Sequence, residues 1–352
     1  MKKIVMTGGG TAGHVTPNLA LVPYLVEAGY EIFYIGSYTG IEKKLVEDAG
    51  ITYFGISSGK LRRYHDWKNF TDPFRVVKGF SEANQLLKHI SPDVVFSKGG
   101  FVSVPVVMAA ARQKIPAIIH ESDMTPGLAN KLAIPFASKV CCNFPETLKY
   151  LPAGKAVNTG SPIRKELFTG SKESGLDFCG FNTKKPVILI MGGSIGSKFI
   201  NEAVWSSLDA LLEKFQIVHL VGKGNINKDF LDEKGYKQFE FINDGLNDVF
   251  AMTDLMISRA GANTISEILA LKIPNILIPL SAAASRGDQI LNAESYEKQG
   301  FSTVLQEESL TSKTLIKAVE NVYNNRDGII ETMAGSAMLD ANSTIIDLIK
   351  NI

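Results

Sequence analysis

This 352-residue chain has only three cysteines, five histidines and two tryptophans. Its apolar runs are short as well, and each scarcity closes off a class of function. Cys141, Cys142 and Cys179 are odd in number, two are adjacent, and none stands at metal-ligand spacing from a histidine. A disulfide scaffold is excluded, and the three read as reduced core residues of a cytosolic protein. The histidines, at 14, 65, 89, 120 and 219, are scattered and no aspartate pair stands at D-x-D spacing, so no protein-built metal site is expected. G-x-x-x-x-G-K-[ST] is missing, which disfavours a P-loop kinase or ATPase. The start, "MKKIVMTGGG", runs straight into a strand and a glycine turn, and no signal peptide is expected. Stretches such as "FVSVPVVMAAA" and "IPNILIPL" fall well short of the ~20 residues of a membrane span. Any membrane association is expected to be peripheral.

A near-zero net charge of +1 conceals an asymmetry. Residues 1–162 carry 18 Lys and Arg against 12 Asp and Glu, whereas residues 163–352 carry 19 against 24. Length and a 45% apolar content suit two domains. Short β-branched runs, "KIVMTG", "EIFYIG", "DVVFSKGG", "PAIIHES" and "KAVNTGS", alternate with amphipathic stretches such as 14–28 and 74–90. After a Lys-Pro break the pattern restarts with "PVILIMGGS", "QIVHLVGKG", "FEFIND", "DLMISRAGA" and "PNILIPL". Alternation of this kind predicts an α/β fold of two Rossmann-like domains. The weakest join is "NTGSPIRKELF" with the polar tract 169–184, which places the domains at 1–162 and 163–335. A last helical segment, about 336–352, has no strand after it and caps one of the two.

Open parallel sheets bind ligands at strand carboxyl ends, where helix N-termini offer N–H groups, so the loops after each strand carry the information. "MTGGGTAGHV" has Gly8, Gly10 and Gly13 at G-x-G-x-x-G spacing, but the second strand ends "FYIGSYTG" without the carboxylate that a dinucleotide ribose needs. Glu42 lies further along. The glycines either let a ligand approach the backbone beside His14 or simply make a tight turn that His14 caps. A second glycine loop, "MGGSIGSKFIN", offers Gly192, Gly193 and Ser194 at a helix start. In "SRAGANTISE" Gly261 and Ala262 precede a helix beginning near Asn263 or Thr264, a seat for a pyrophosphate. Glu267, one turn in, is placed either to accept two hydrogen bonds from a ribose diol or to favour the helix dipole. Asp288 and Gln289 in "SRGDQ" reach sugar hydroxyls or cap a helix.

Six blocks, "GGGTAGHVTPNLAL", "SKGGFVSVPVVMAA", "HESDMTPGLANK", "TGSPIRKEL", "GGSIGS" and "SRAGANTISE…RGDQILNA", together resemble the MurG family, in order and over the whole chain. The resemblance implies the GT-B glycosyltransferase fold, two Rossmann-like domains facing across a cleft. It also implies transfer of N-acetylglucosamine from UDP-N-acetylglucosamine to the C4 hydroxyl of the N-acetylmuramoyl-pentapeptide of lipid I, giving lipid II. By the same resemblance Ser194 and the loop Gly261, Ala262, Asn263 and Thr264 hold the diphosphate, Glu267 the ribose and Gln289 the N-acetylglucosamine. Arg164 matches a donor-contacting arginine, Ile242 a position whose backbone reads uracil, and Asp123 a donor-site position. Thr11, Ala12 and Gly13 face the transferred sugar and the acceptor, and His14 matches the proposed general base. Where some relatives have consecutive glutamines this chain has Asp288 then Gln289; Asp123 stands for an asparagine and Phe101 for a tyrosine.

On this reading the transfer is inverting and uses no cofactor or metal. An ordinary histidine titrates near ~6.5 and serves as base at cytosolic pH, with Asp123 and Glu121 as alternatives. The acceptor is a polyprenyl pyrophosphate lipid, which implies a peripheral position on the cytoplasmic face of the cell membrane. Residues 60–80, "KLRRYHDWKNFTDPFRVVKGF", interleave basic and aromatic groups as an anionic membrane surface would require, or as a partly buried connection would. Cell-wall synthesis proteins are candidate partners, and nucleic acid is not. Another GT-B glycolipid transferase, a UDP-sugar epimerase and a two-lobed binding protein are the alternatives.

Overall fold

The computed structural model describes residues 1–59, 68–193, 195–282, 287–336 and 340–352, with the side chains of 68–74 left aside. The chain divides into two compact units, Met1–Arg164 with Asp340–Ile352, and Lys165–Leu339.

The first unit is built on seven parallel strands: β1 Lys2–Thr7, β2 Tyr30–Ser37, β3 Thr52–Ile56, β4 Val94–Ser97, β5 Ala117–Glu121, β6 Lys139–Cys142 and β7 Ala156–Asn158. They lie in the order β3-β2-β1-β4-β5-β6-β7. Residue alternation feeds two apolar layers, one on each face. Val5, Ile35, Val95, Ile119 and Val140 join one, while Ile4, Met6, Tyr34, Phe96, Ile118 and Cys141 join the other. The second layer is closed by the helix Ala341–Lys350, which contributes Ile345, Ile346 and Ile349. Asn342 fixes that helix by exchanging two hydrogen bonds with the Ile163 backbone, at 3.1 and 2.8 Å.

The second unit has six parallel strands: β8 Val187–Met191, β9 Gln216–Leu220, β10 Tyr236–Phe239, β11 Leu255–Ser258, β12 Asn275–Leu277 and β13 Thr303–Val304. Their order is β10-β9-β8-β11-β12-β13. The expected strand "FEFIND" is corrected here: pairing with β9 takes Tyr236–Phe239, because Tyr236 is the residue with a buried site to fill, and 240–242 pass into a loop. The polar tract 169–184 is no linker either. It holds the helix Lys172–Cys179, capped by Ser171 and ended by Gly180 in the left-handed conformation. This helix sits so close to Leu246–Met252 that a Cβ on Gly175 would come within 2.3 Å of the Asp248 carbonyl oxygen.

Candidate active site

In each sheet the winding reverses beside the first strand, between β1 and β4 and between β8 and β11, where ligands of doubly wound sheets bind.

After β1 the chain folds back so tightly that a Cβ on Gly8 would lie 2.6 Å from the His14 carbonyl oxygen. Tyr34 donates its hydroxyl to the Gly8 carbonyl at 2.8 Å, and Asn18 donates to the Thr7 carbonyl at 3.1 Å. Ala12–His14 form one 3-10 turn, and the α-helix starts at Thr16 with Pro17 in its first turn, two residues later than the sequence suggests. Thr11 and Ala12 are exposed, whereas Gly13 and His14 are partly buried. Thr11 Oγ1 lies 3.0 Å from His14 Nδ1.

The surroundings of His14 are not those of an ordinary, solvated imidazole. Burial, and then the positive charge of Lys98, push its pKa down to about 4, against the Gly9 backbone and Glu42, which pull it up. At neutral pH the ring is uncharged, and the same lowering makes it a weaker base than an ordinary imidazole.

Lys98 follows β4 and is 1% exposed. Its ammonium donates to His120 Nδ1 at 2.8 Å and to the Ser122 hydroxyl at 2.7 Å. His120 Nε2 lies 2.8 Å from the Gly160 carbonyl; a carbonyl only accepts, so Nε2 carries the ring proton and Nδ1 is left to accept from Lys98. Burial pushes the Lys98 pKa down to about 7, with Glu121 and Asp123 pulling it up. The loops after β1 and β4 touch: a Cβ on Gly100, whose φ is +85°, would lie 2.3 Å from the Gly9 carbonyl oxygen.

Glu121, the alternative base, is not placed for that role. Its carboxylate accepts from Asn130 Nδ2 at 2.8 Å, Gly127 N–H at 2.9 Å and Asp123 N–H at 3.0 Å, bracing the loop after β5. Asp123 itself is partly buried on that loop, and Arg164 is the last residue of the first unit's main segment.

In the second unit, Gly192 must be glycine because a Cβ would meet Ser197 N at 2.6 Å. Ser197 caps the helix Lys198–Trp205. Ser194 lies outside the described residues. The helix Ala262–Leu271 follows β11 after Gly261, and Asn263, Thr264 and Glu267 are partly buried along its first turns. Arg259 staples these loops together: Nη1 donates to the Ile278 and Pro279 carbonyls at 3.2 Å each, Nη2 donates to Ser197 Oγ at 2.6 Å, and Nη2 also pairs with Glu307. Gln289, second residue of the helix Asp288–Lys298, has its side-chain carbonyl held by Leu280 N–H at 3.1 Å. Its amide N–H groups are then the donors it can offer a sugar. Ile242 sits partly buried in the loop beyond β10.

Comparison with known proteins fits both halves. The glycosyltransferase family 28 N-terminal domain matches residues 4–142, and the family 28 C-terminal domain matches 187–351. A UDP-N-acetylglucosamine–N-acetylmuramyl-(pentapeptide) pyrophosphoryl-undecaprenol N-acetylglucosamine transferase from Lachnoclostridium phytofermentans is 64% identical over 352 residues, 100% of this chain and 99% of its own. The transferase of the same name from Lachnospira eligens is 62% identical over 351 residues, again 100% and 99%. The chain belongs to the MurG family of family 28 glycosyltransferases. The crystal structure of MurG from Acinetobacter baumannii, 25% identical, superposes with a TM-score of 0.77 and covers 100% of both chains.

In this MurG-family chain the structure brings Thr11, Ala12, Gly13 and His14 into one turn beside Lys98, and Gly261 to Glu267 onto one helix start. The sequence reading missed Lys98 and Arg259. Both follow a strand in glycine-containing blocks already singled out, and a cation directly after an apolar strand was the available signal. Glu42, dismissed as too late for a ribose, turns out fully buried with its carboxylate turned back on the first glycine loop.

Proposed function

We propose that the enzyme transfers N-acetylglucosamine from UDP-N-acetylglucosamine to the C4 hydroxyl of the N-acetylmuramoyl-pentapeptide of lipid I, with inversion, giving lipid II. The observation that carries this is the identity with the Lachnoclostridium transferase, 64% over all 352 residues. In the first unit the neutral His14 ring accepts the acceptor hydroxyl proton. The form needed carries its proton on Nδ1, which donates to Thr11 Oγ1 3.0 Å away, and leaves Nε2 unprotonated. In the second unit the departing UDP gathers negative charge, which N–H groups at the start of Ala262–Leu271 are oriented to stabilise. Glu267, one turn in, takes the ribose diol, and the Gln289 amide donates to the sugar. Ser194, Ile242, Arg164 and Asp123 complete the donor contacts.

The acceptor's lipid requires the first unit to meet a membrane. No helix among the described residues is long and apolar enough to cross one. A peripheral position on the cytoplasmic face rests on the basic excess of residues 1–162 and on the stretch 60–80, whose first eight residues lie outside the described ones. Binding to liposomes that rises with anionic lipid and falls with salt is the expected result.

Labelled UDP-N-acetylglucosamine incubated with and without lipid I tests the reaction. UDP release that depends on lipid I is expected; release with another glycolipid acceptor, or epimerisation without one, would replace this reading.

A further inference from the structure

Glu42 is the second residue of the helix Ile41–Asp48 and is fully buried. Its Oε2 accepts from Gly10 N–H at 3.2 Å, and its Oε1 accepts from the Ser37 N–H at 3.0 Å and the Ser37 hydroxyl at 2.5 Å. The carboxylate therefore ties the loop after β1 to the end of β2.

Three glycines make room for it. A Cβ would lie 2.6 Å from the Glu42 Cδ if added to Gly9, 2.2 Å from it if added to Gly40, and 2.9 Å from Cγ if added to Gly36. Gly9 is thus pressed between Glu42 and Gly100. Gly10, next in the chain, has φ +89°, and among the described residues no atom beyond its chain neighbours lies within 4 Å of where a Cβ would stand. The carboxylate supplies a side-chain tether at that residue. Four residues later the same loop delivers His14.

We propose that Glu42 is a positioning residue for the transfer: it holds the Gly8–His14 loop so that the His14 ring stands where the acceptor hydroxyl loses its proton. The proposal rests on the reading of His14 as base. Displacing a reacting group by about 1 Å costs roughly 100-fold in rate, so a tether of this kind acts chiefly on turnover, and on donor affinity only through the face that Thr11–Gly13 turn to the transferred sugar. The donor-binding helix starts are in the other unit.

Glu42→Gln is the test. An amide offers one acceptor oxygen and one donor NH₂, and Ser37 presents two donors against one from Gly10. The oxygen turns to Ser37, the NH₂ faces Gly10 N–H, and the loop alone is released at constant volume. The expected result is a kcat about tenfold lower or more, with KM for UDP-N-acetylglucosamine changed less than about twofold. In protein labelled with ¹⁵N-glycine the Gly10 amide resonance moves upfield as its carboxylate bond is lost. Glu42→Asp, whose carboxylate falls one methylene short of Gly10, gives the same kinetic split while keeping the charge.

An unmoved Gly10 resonance, or a moved one with wild-type kcat, overturns the proposal. So does a parallel loss of kcat, donor affinity and thermal midpoint, which would make Glu42 a mere fold element. If wild-type enzyme released no UDP from lipid I, the transfer reading would fall by itself. The Gly10 resonance of Glu42→Gln would still decide whether the carboxylate holds the loop.

Discussion

The pH profile of kcat/KM is where the buried surroundings of His14 become measurable. The acid limb of that profile reports the free enzyme's essential base. With a pKa of about 4 for His14, its ring is about 97% neutral at a pH of roughly 5.5, whereas an ordinary imidazole at ~6.5 would be about 9% neutral. The two cases differ about tenfold in rate there. Initial rates of lipid I-dependent UDP release at subsaturating donor, taken from a pH of about 8 down to about 4.5 at constant ionic strength, separate them. The expected curve is flat to a pH of about 5 and bends down only below that. Lys98, the second cause of the shift, carries its charge on the acid side of its own pKa of about 7. Lys98→Met should therefore move the limb upward, part of the way to ~6.5, because burial remains as the larger cause. An acid limb centred near ~6.5 in the wild type would refute the reasoning, as would a limb indifferent to Lys98.

His14→Ala should lower kcat by roughly 10²–10⁴ with donor KM held within about twofold; a loss of only a few-fold in steady-state assays would hand the role of base to Asp123. Arg259→Met leaves the Glu307 carboxylate buried without its cation, which should cost about 3–5 kcal/mol in denaturant unfolding. Adding Glu307→Leu should restore most of that stability but not donor affinity, because the Ser197, Ile278 and Pro279 contacts stay lost. His219 is fully buried between Tyr236 and Asn201, and burial pushes its pKa down to about 3. Between ~6.5 and that value the unfolded chain binds the extra proton, so its contribution is intact above ~6.5 and is lost as pH falls. By a pH of about 4.5 the loss is roughly 2–3 kcal/mol, and His219→Gln should show a correspondingly shallower dependence in guanidinium unfolding.

Much of the fold could be read from the sequence because parallel strands buried on both faces announce themselves as β-branched runs ending in glycine. β3, β6 and β13 were missed for identifiable reasons. β6 presents Lys139, Val140 and two cysteines rather than a β-branched run, and β13 has only two residues. β3, "TYFGI", carries an internal glycine, where a Cβ would strike Tyr38 at 2.5 Å. The site divides along the same line. Loops that offer backbone N–H groups are legible as glycine motifs at helix starts. Side chains that return from elsewhere are not: Glu42 comes back from the next helix, and Gln289 turns to the Leu280 backbone. His14 was found by its neighbours in sequence, but its proton affinity depends on Lys98, far away in the chain.

The helix Ala341–Lys350 completes a core begun by Ile4 and Leu21. The first unit is therefore discontinuous in the gene, with the whole of Lys165–Leu339 translated between its parts. At ~5–20 residues per second, on the order of ten to thirty seconds pass at the ribosome with that apolar layer uncovered. That surface is exposed to aggregation during the interval, and a frameshift ahead of residue 341 strips the cover from the half of the protein that carries His14.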